Sequence, residues 1–168
     1  VDNPGEVLLE TPGEGSDSVW SYLTYTLGAN LEKLTLVGKA VIDGNGNELN
    51  NTVVGNLTAN TLTGGAGDDI LNGDAGTDTL IGGTGNDTYV VDHVSDIVTE
   101  LPGEGTDLVK SSVAWTLGND LEQLLLSGTA ALSGAGNALA NLLTGNSGSN
   151  TLTGGAGNDT LDGGLGAD

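Results

Sequence analysis

Gly64-Gly65-Ala66-Gly67-Asp68-Asp69-Ile70-Leu71-Asn72 is followed without a gap by a second copy, Gly73 to Ile81, and by a third starting at Gly82. The shared form is G-G-x-G-x-D-x-U-x, where U is a large apolar residue supplied by Leu71, Leu80 and Tyr89. Glycines at the first, second and fourth positions let the backbone take positive φ, so six residues bend into a tight turn with carbonyls facing inward. The remaining three form a short strand. Position six, filled by Asp69, Asp78 and Asp87, sets a hard anionic oxygen at the mouth of each turn. Such oxygens suit Ca²⁺, which takes roughly six to eight of them at about 2.3–2.6 Å. Cys and Met are absent and His93 is the only histidine, so no soft cluster favours zinc or copper.

This registered phrase resembles the RTX family of haemolysin-type calcium-binding nonapeptide repeats. The resemblance implies an all-β fold, a right-handed parallel β-roll stabilised by calcium. Two nonapeptides make one coil there, and each ion lies between a turn and the equivalent turn one coil later. Consecutive nonapeptides therefore face opposite edges. On that geometry Asp69 and Asp87 share an ion. Asp78 pairs with Asp96 on the other edge, where the turn Val91–Asp96 has lost its glycines and keeps Asp92 and Asp96. The expected metal-ligating set, carboxylates plus turn carbonyls, begins with Gly64, Gly65, Ala66, Gly67 and Asp69, then Gly73, Ala75, Gly76 and Asp78. It continues through Gly82, Gly83, Thr84, Gly85 and Asp87 to Asp92 and Asp96. A second array adds Gly154, Gly155, Ala156, Gly157 and Asp159, with Gly163 and Asp168.

Upstream the register continues with Asn at position six: Gly46 to Asn51, and Gly55 to Asn60. Asn keeps an oxygen for a ligand or a turn hydrogen bond but drops the charge. Coils built on it are expected to be metal-free or weakly binding, as are Gly136–Asn141 and Gly145–Asn150.

A longer period underlies the short one. Val1-Asp2 returns as Val91-Asp92, and at this offset of 90 the chain aligns with itself to the end without a gap. Ninety residues equal ten nonapeptides or five coils of eighteen, so the copies are expected to continue one roll in phase. The expected division is 1–90, with modified coils over 1–45, Asn-type turns over 46–63 and full turns over 64–90. A shortened copy follows over 91–168, divided at 91–135, 136–153 and 154–168, as a piece of a longer array would be. Within the modified coils, Val19, Leu23, Tyr25 and Leu27 alternate in phase with Ser21, as Val113, Trp115 and Leu117 follow Val109 and Ser111. That alternation predicts one longer strand with a buried face. Leu31, Leu34 and Leu36, with Leu121, Leu124 and Leu126, read as further coil positions; a helix starting near Leu31 or Leu121 is the other reading.

Acidic residues number 23 against three lysines, Lys33, Lys39 and Lys110, for a formal net charge of −20. A phosphate-neutralising surface is thus unavailable, which excludes nucleic acid as a partner. No apolar run approaches the roughly 20 residues that span a bilayer, no signal peptide opens the chain, and membrane insertion is not expected. A repeat protein grows along one axis without a single globular core. With aromatics at 3% and no Phe, its apolar column is thin while the charge opposes compaction. The Asp arrays are expected to be loose without cation, making calcium binding a source of folding energy.

The absence of Cys fits an exported chain. The resemblance implies type I secretion through a C-terminal signal, folding in external calcium, and a secreted or bacterial cell-surface location. Other features take plainer readings. His93 reads as a surface turn residue, Asp68 beside Asp69 as a variable repeat position rather than half of a catalytic pair, and the Asn-x-Thr triplets as by-products of the repeat. Trp20, Tyr22, Tyr25 and Trp115 read as packing, and Gly83-Thr84-Gly85-Asn86-Asp87 is a single turn without the ladder that an ice-ordering face needs.

The chain is therefore expected to be a non-enzymatic, calcium-binding folding or spacer module of a larger protein. Its partners would be calcium ions and neighbouring repeats, with coil ends open to end-to-end association. The rivals are an accessory module of a secreted lipase, protease or alginate epimerase, and an adhesive or S-layer module.

Overall fold

A computed structural model describes residues 1–168, folded into seventeen short strands and no helix. All strand pairing is parallel, and alternate strands fall on opposite faces of a solenoid. One face is a single nine-stranded sheet: β1 (Ser18–Ser21), β3 (Lys33–Leu36), β5 (Thr52–Val54), β7 (Ile70–Asn72), β9 (Thr88–Val91), β11 (Leu108–Ser111), β13 (Gln123–Leu126), β15 (Leu142–Thr144) and β17 (Thr160–Asp162). The other face carries β2 (Tyr25–Thr26), β4 (Gly44–Asn45), β6 (Thr61–Ala66), β8 (Thr79–Thr84) and β10 (Ile97–Thr99), then a separate sheet of β12 (Trp115–Thr116), β14 (Ser133–Ala135) and β16 (Thr151–Thr153). This is the all-β parallel β-roll that the RTX resemblance implies, consistent with a right-handed coil. No helix is long and apolar enough to cross a membrane.

One register row runs through the core. Val19, Leu34, Val53, Leu71, Tyr89, Val109, Leu124 and Leu143 stand directly above one another through the nine-stranded sheet, all buried. Leu62 and Leu80 stack opposite them. Each fully buried Leu or Val contributes roughly 1.5–3 kcal/mol. Each coil adds only a few residues to this core, so every coil depends on its neighbours. Gly44 sits in the opposite row, where a Cβ would press on Leu34, Val53 and Leu62 at 3.0–3.4 Å.

Coil length departs from the expected eighteen outside the full repeats. Ser18 pairs with Lys33, Lys33 with Thr52, Thr52 with Ile70, Ile70 with Thr88, and Thr88 with Leu108. The first of these coils is thus three short of eighteen, the second one over, the next two regular and the last two over. The departures cancel. A short coil whose second strand is only Tyr25–Thr26 is offset by a long turn before β11, so the two copies of the longer unit stay in phase without equal coils.

The predicted longer strand over 19–27 is also corrected. It breaks after Ser21, whose buried hydroxyl donates to the Leu23 carbonyl (2.7 Å) and accepts from the Leu23 amide (3.1 Å). Ser111 does the same with Val113 at 2.9 and 3.2 Å. The in-phase serine that looked like part of a strand is the polar pin of a corner, because a buried hydroxyl must find partners. The helix reading at Leu31 and Leu121 gives way to modified coils. Asn30 and Asp120 precede these leucines with φ of 66° and 61°, left-handed values that no α-helix continues.

Candidate metal centres

Each full turn is bent by left-handed backbone at its second position: φ is 118° at Gly65, 101° at Gly83 and 101° at Gly155. The second copy of the repeat has Asp74 there, at φ 59°. Asp tolerates this region better than most residues, and the Asn72 side chain accepts from its amide at 3.1 Å.

Position-six carboxylates form ladders along both edges. The Asn51 amide donates to Asp69 Oδ1 (2.7 Å), the Asp69 amide to Asp87 Oδ1 (2.7 Å), and the Asp87 amide to Asp107 Oδ1 (2.8 Å). On the opposite edge the Asn60 amide donates to Asp78 Oδ1 (2.8 Å) and the Asp78 amide to Asp96 Oδ1 (3.0 Å). The structure thus brings Asp69 next to Asp87, and Asp78 next to Asp96, each pair one coil apart. Asp92 lies exposed on the second edge. In the second array, Asp159 accepts from the Asn141 amide (3.0 Å) and Asp168 from the Asn150 amide (2.7 Å), so these two stand on different edges.

These hydrogen bonds use only one oxygen of each carboxylate. Asp69 Oδ2, Asp78 Oδ2 and Asp87 Oδ2 are buried without any hydrogen-bond partner. The surroundings hold further oxygens: a Cβ on Gly64 would collide with Asp69 Oδ2 and lie 2.7 Å from the Gly82 carbonyl oxygen. A side chain at position one would therefore fill the cradle. Gly73 and Gly154 stand in the same relation to Asp78 Oδ2 and Asp159 Oδ2. Of the expected carbonyl ligands, Thr84 O also accepts from the Gly67 amide at 2.8 Å, using one of its two lone pairs.

The electrostatics are unfavourable for a bare chain. Burial, then Asp87 and Asp68 after a lesser opposing hydrogen bond, pushes Asp69 up to about 7. Burial first, with Asp96 the largest like charge, raises Asp78 to about 6. Asp87 is raised to about 6, again by burial first and by Asp107 as the largest like charge. Asp92 is raised by burial and by Asp96 and Asp74. A buried oxygen without a donor, beside like charges, is the setting that a hard divalent cation relieves. The donor set is all oxygen, which fits Ca²⁺.

Asn turns close differently. Asn51 Oδ1 accepts from the Asn47 amide of its own turn (2.6 Å), and its Nδ2 donates to Leu31 O (3.2 Å) one coil back. Asn47 Nδ2 adds bonds to Gly28 O and Leu31 O, both 2.8 Å. Asn60, Asn141 and Asn150 repeat the pattern, with Oδ1 accepting at 2.8 Å in each. The side-chain amides satisfy the carbonyls that turn inward.

Sequence reasoning missed Asp107. Gly103-Glu104-Gly105-Thr106-Asp107 keeps the Gly-x-Gly-x-Asp of the full turn, but the lengthened coil before it, which sets Leu108 rather than Thr106 beside Thr88, hides the pairing with Asp87. The Asp107 amide in turn donates to Glu122 Oε2 (3.0 Å), so a glutamate substitutes in the ladder where the coil is short.

The fold and its turns define a parallel β-solenoid with oxygen-lined, carboxylate-bearing corners. The family model described as RTX calcium-binding nonapeptide repeat (4 copies) matches residues 45–80, 54–89 and 135–168. These residues are RTX calcium-binding nonapeptide repeats, and calcium is the ion that the repeat family implies. Its β-roll is a structural calcium-binding module. No curated protein and no solved structure matches the chain significantly.

Proposed function

We propose that this chain is a calcium-responsive folding and spacer module of a secreted or cell-surface protein, without catalysis of its own. It is loose when calcium is scarce and a rigid rod when calcium is plentiful. The observation that carries this reading is the set of three buried, partnerless carboxylate oxygens on Asp69, Asp78 and Asp87. Each belongs to a group for which ionisation without a partner costs several kcal/mol. A cation bound only by the folded state reverses that cost, adding about 2.7 kcal/mol per site at a hundredfold excess over Kd.

The ligands in this reading are Asp69 with Asp87, Asp78 with Asp96, and Asp159 and Asp168 in the second array, with turn carbonyls completing each shell. The formal charge of −20 supports the same switch, since self-repulsion favours the loose state until cations neutralise it. Export before folding follows from the ion's distribution, scarce in the cytosol and plentiful outside, and the lack of Cys accords with it. Circular dichroism during a calcium titration from excess chelator is the test. β-Structure should grow with calcium; a β-rich spectrum in chelator that calcium leaves unmoved overturns the proposal.

A further inference from the structure

Glu100 occupies a place where the repeat calls for glycine. Strand register pairs Thr79 with Ile97, Leu80 with Val98 and Ile81 with Thr99, so the next residues, Gly82 and Glu100, hold position one in successive coils. A glutamate there, matched by Glu10 one unit earlier, departs from the glycine of the full turns, whose cradle has no room for a side chain pointing into it. The coil that carries it is longer than its predecessor by two, the additional length falling before β11.

The side chain turns back into the molecule rather than out to solvent, leaving the residue only 7% exposed. Its Oε1 accepts a hydrogen bond from the hydroxyl of buried Tyr89. Its Oε2 is buried without a partner, as is the neighbouring Asp87 Oδ2. A Cβ added to Gly82 would collide with Asp87 Oδ2 and the Tyr89 hydroxyl and lie 2.6 Å from Glu100 Oε1, so these oxygens converge on one point. Asp107 completes the group. One carboxylate oxygen from each of Asp87, Glu100 and Asp107 lies within 4.8 Å of the others. Two oxygens on opposite sides of a single Ca²⁺ can be about 5 Å apart.

We propose that Glu100, Asp87 and Asp107 form a three-carboxylate calcium site at the joint between the two 90-residue units, with Glu100 as a ligand and the Tyr89 hydroxyl as its positioning group. The inference rests on the reading that the Asp turns bind calcium, and deepens it by naming a site whose added ligand comes from a repeat-breaking residue. The three-carboxylate group carries one negative charge more than the Asp69–Asp87 pair. Calcium affinity rises with the number of charged ligands, so this site fills first and locks the second unit onto the first.

The test is calorimetric calcium titration of the full 168-residue chain, wild type against Glu100→Gln and Asp78→Asn, with dichroism confirming that each folds at saturating calcium. The amide of Glu100→Gln keeps the size and a bond to Tyr89 while removing the charge. It should weaken the tightest sites by about tenfold or more and leave the remaining sites intact, whereas Asp78→Asn should spare the tightest sites. Glu100→Asp, which keeps the charge on a shorter arm, should fall between wild type and Glu100→Gln. Terbium provides a second readout: luminescence sensitised by Tyr89 should fall in both Glu100→Gln and Tyr89→Phe. Should Glu100→Gln bind calcium and terbium as wild type does, this site is refuted while the calcium module stands. Should wild type bind no calcium at all, both proposals fall.

Discussion

The Asn turns at residues 46–63 and the Asp turns at residues 64–87 stand at equivalent corners of successive coils, yet only the Asp turns pass through left-handed backbone, and the two kinds close in different ways. Asn51 spends its oxygen on the Asn47 amide and its nitrogen on the Leu31 carbonyl, so its turn is complete from within. Asp69 accepts a single amide from the preceding coil and leaves Oδ2 buried and partnerless. The side chains differ by one NH₂ against one O⁻, a donor against a charged acceptor. On the proposed reading an acidic turn is a conditional structure that a cation finishes, an amide turn is complete without one, and interleaving the two would set how much of the rod depends on calcium.

Chelation should separate the two regions most strongly. In excess chelator, amide hydrogen exchange should become fast through 64–91 while residues 46–63 keep measurable protection. Equal loss in both would break the comparison, because it would mean that the Asn turns have no stability of their own.

Exchanging the side chains sharpens it next. Asp69→Asn should stabilise the calcium-free chain by about 1–3 kcal/mol, the cost of an unsatisfied buried group, and should reduce the calcium bound at saturation. Asn51→Asp should do the reverse. Urea denaturation with and without calcium measures both, and a double exchange that reproduces wild type would show that the residue rather than the position decides.

Acidity has a smaller effect of calculable sign. Asp69 at about 7 and Asp78 and Asp87 at about 6 lie above the unfolded carboxylate value of about 3.9. The calcium-free fold thus binds more protons than the unfolded chain. The resulting stability is fully present below about pH 3.9 and is lost as pH rises through 6 to 7. Thermal denaturation in chelator should give a lower Tm at pH 8 than at pH 5. With calcium the trend should invert, since protons and metal compete for the same oxygens. A calcium-free Tm that rises from pH 5 to 8 would contradict the buried, unpaired state of the Asp turns.

The smallest expected effect is at Asp74. Replacing it by Gly removes a left-handed non-glycine residue but loosens the unfolded chain, so the change should stay within about 1 kcal/mol. A larger loss would show that the Asp74 side chain takes part in the edge occupied by Asp78 and Asp96.

Much of this was legible because the repeat couples position to role. The nonapeptide placed Leu71, Leu80 and Tyr89 in the core, and the two-nonapeptide coil that the RTX resemblance implies brought Asp69 beside Asp87 and Asp78 beside Asp96. Where that arithmetic slips, local pattern misleads. Ser21 alternates like a strand residue but pins a corner, and Asp107 joins the ladder only because its coil is longer than the repeat prescribes.

The sequence by itself determined the architecture, the edges on which the acids stand, and the ion chemistry that such oxygens favour, since a strict period makes local rules global. The tertiary structure alone decided which carboxylate oxygens lack a donor, how coils of unequal length stay in phase, and that Glu100 turns inward beside Asp87 and Tyr89. These depend on contacts one coil apart, and where the period varies, no spacing along the chain specifies which atoms meet.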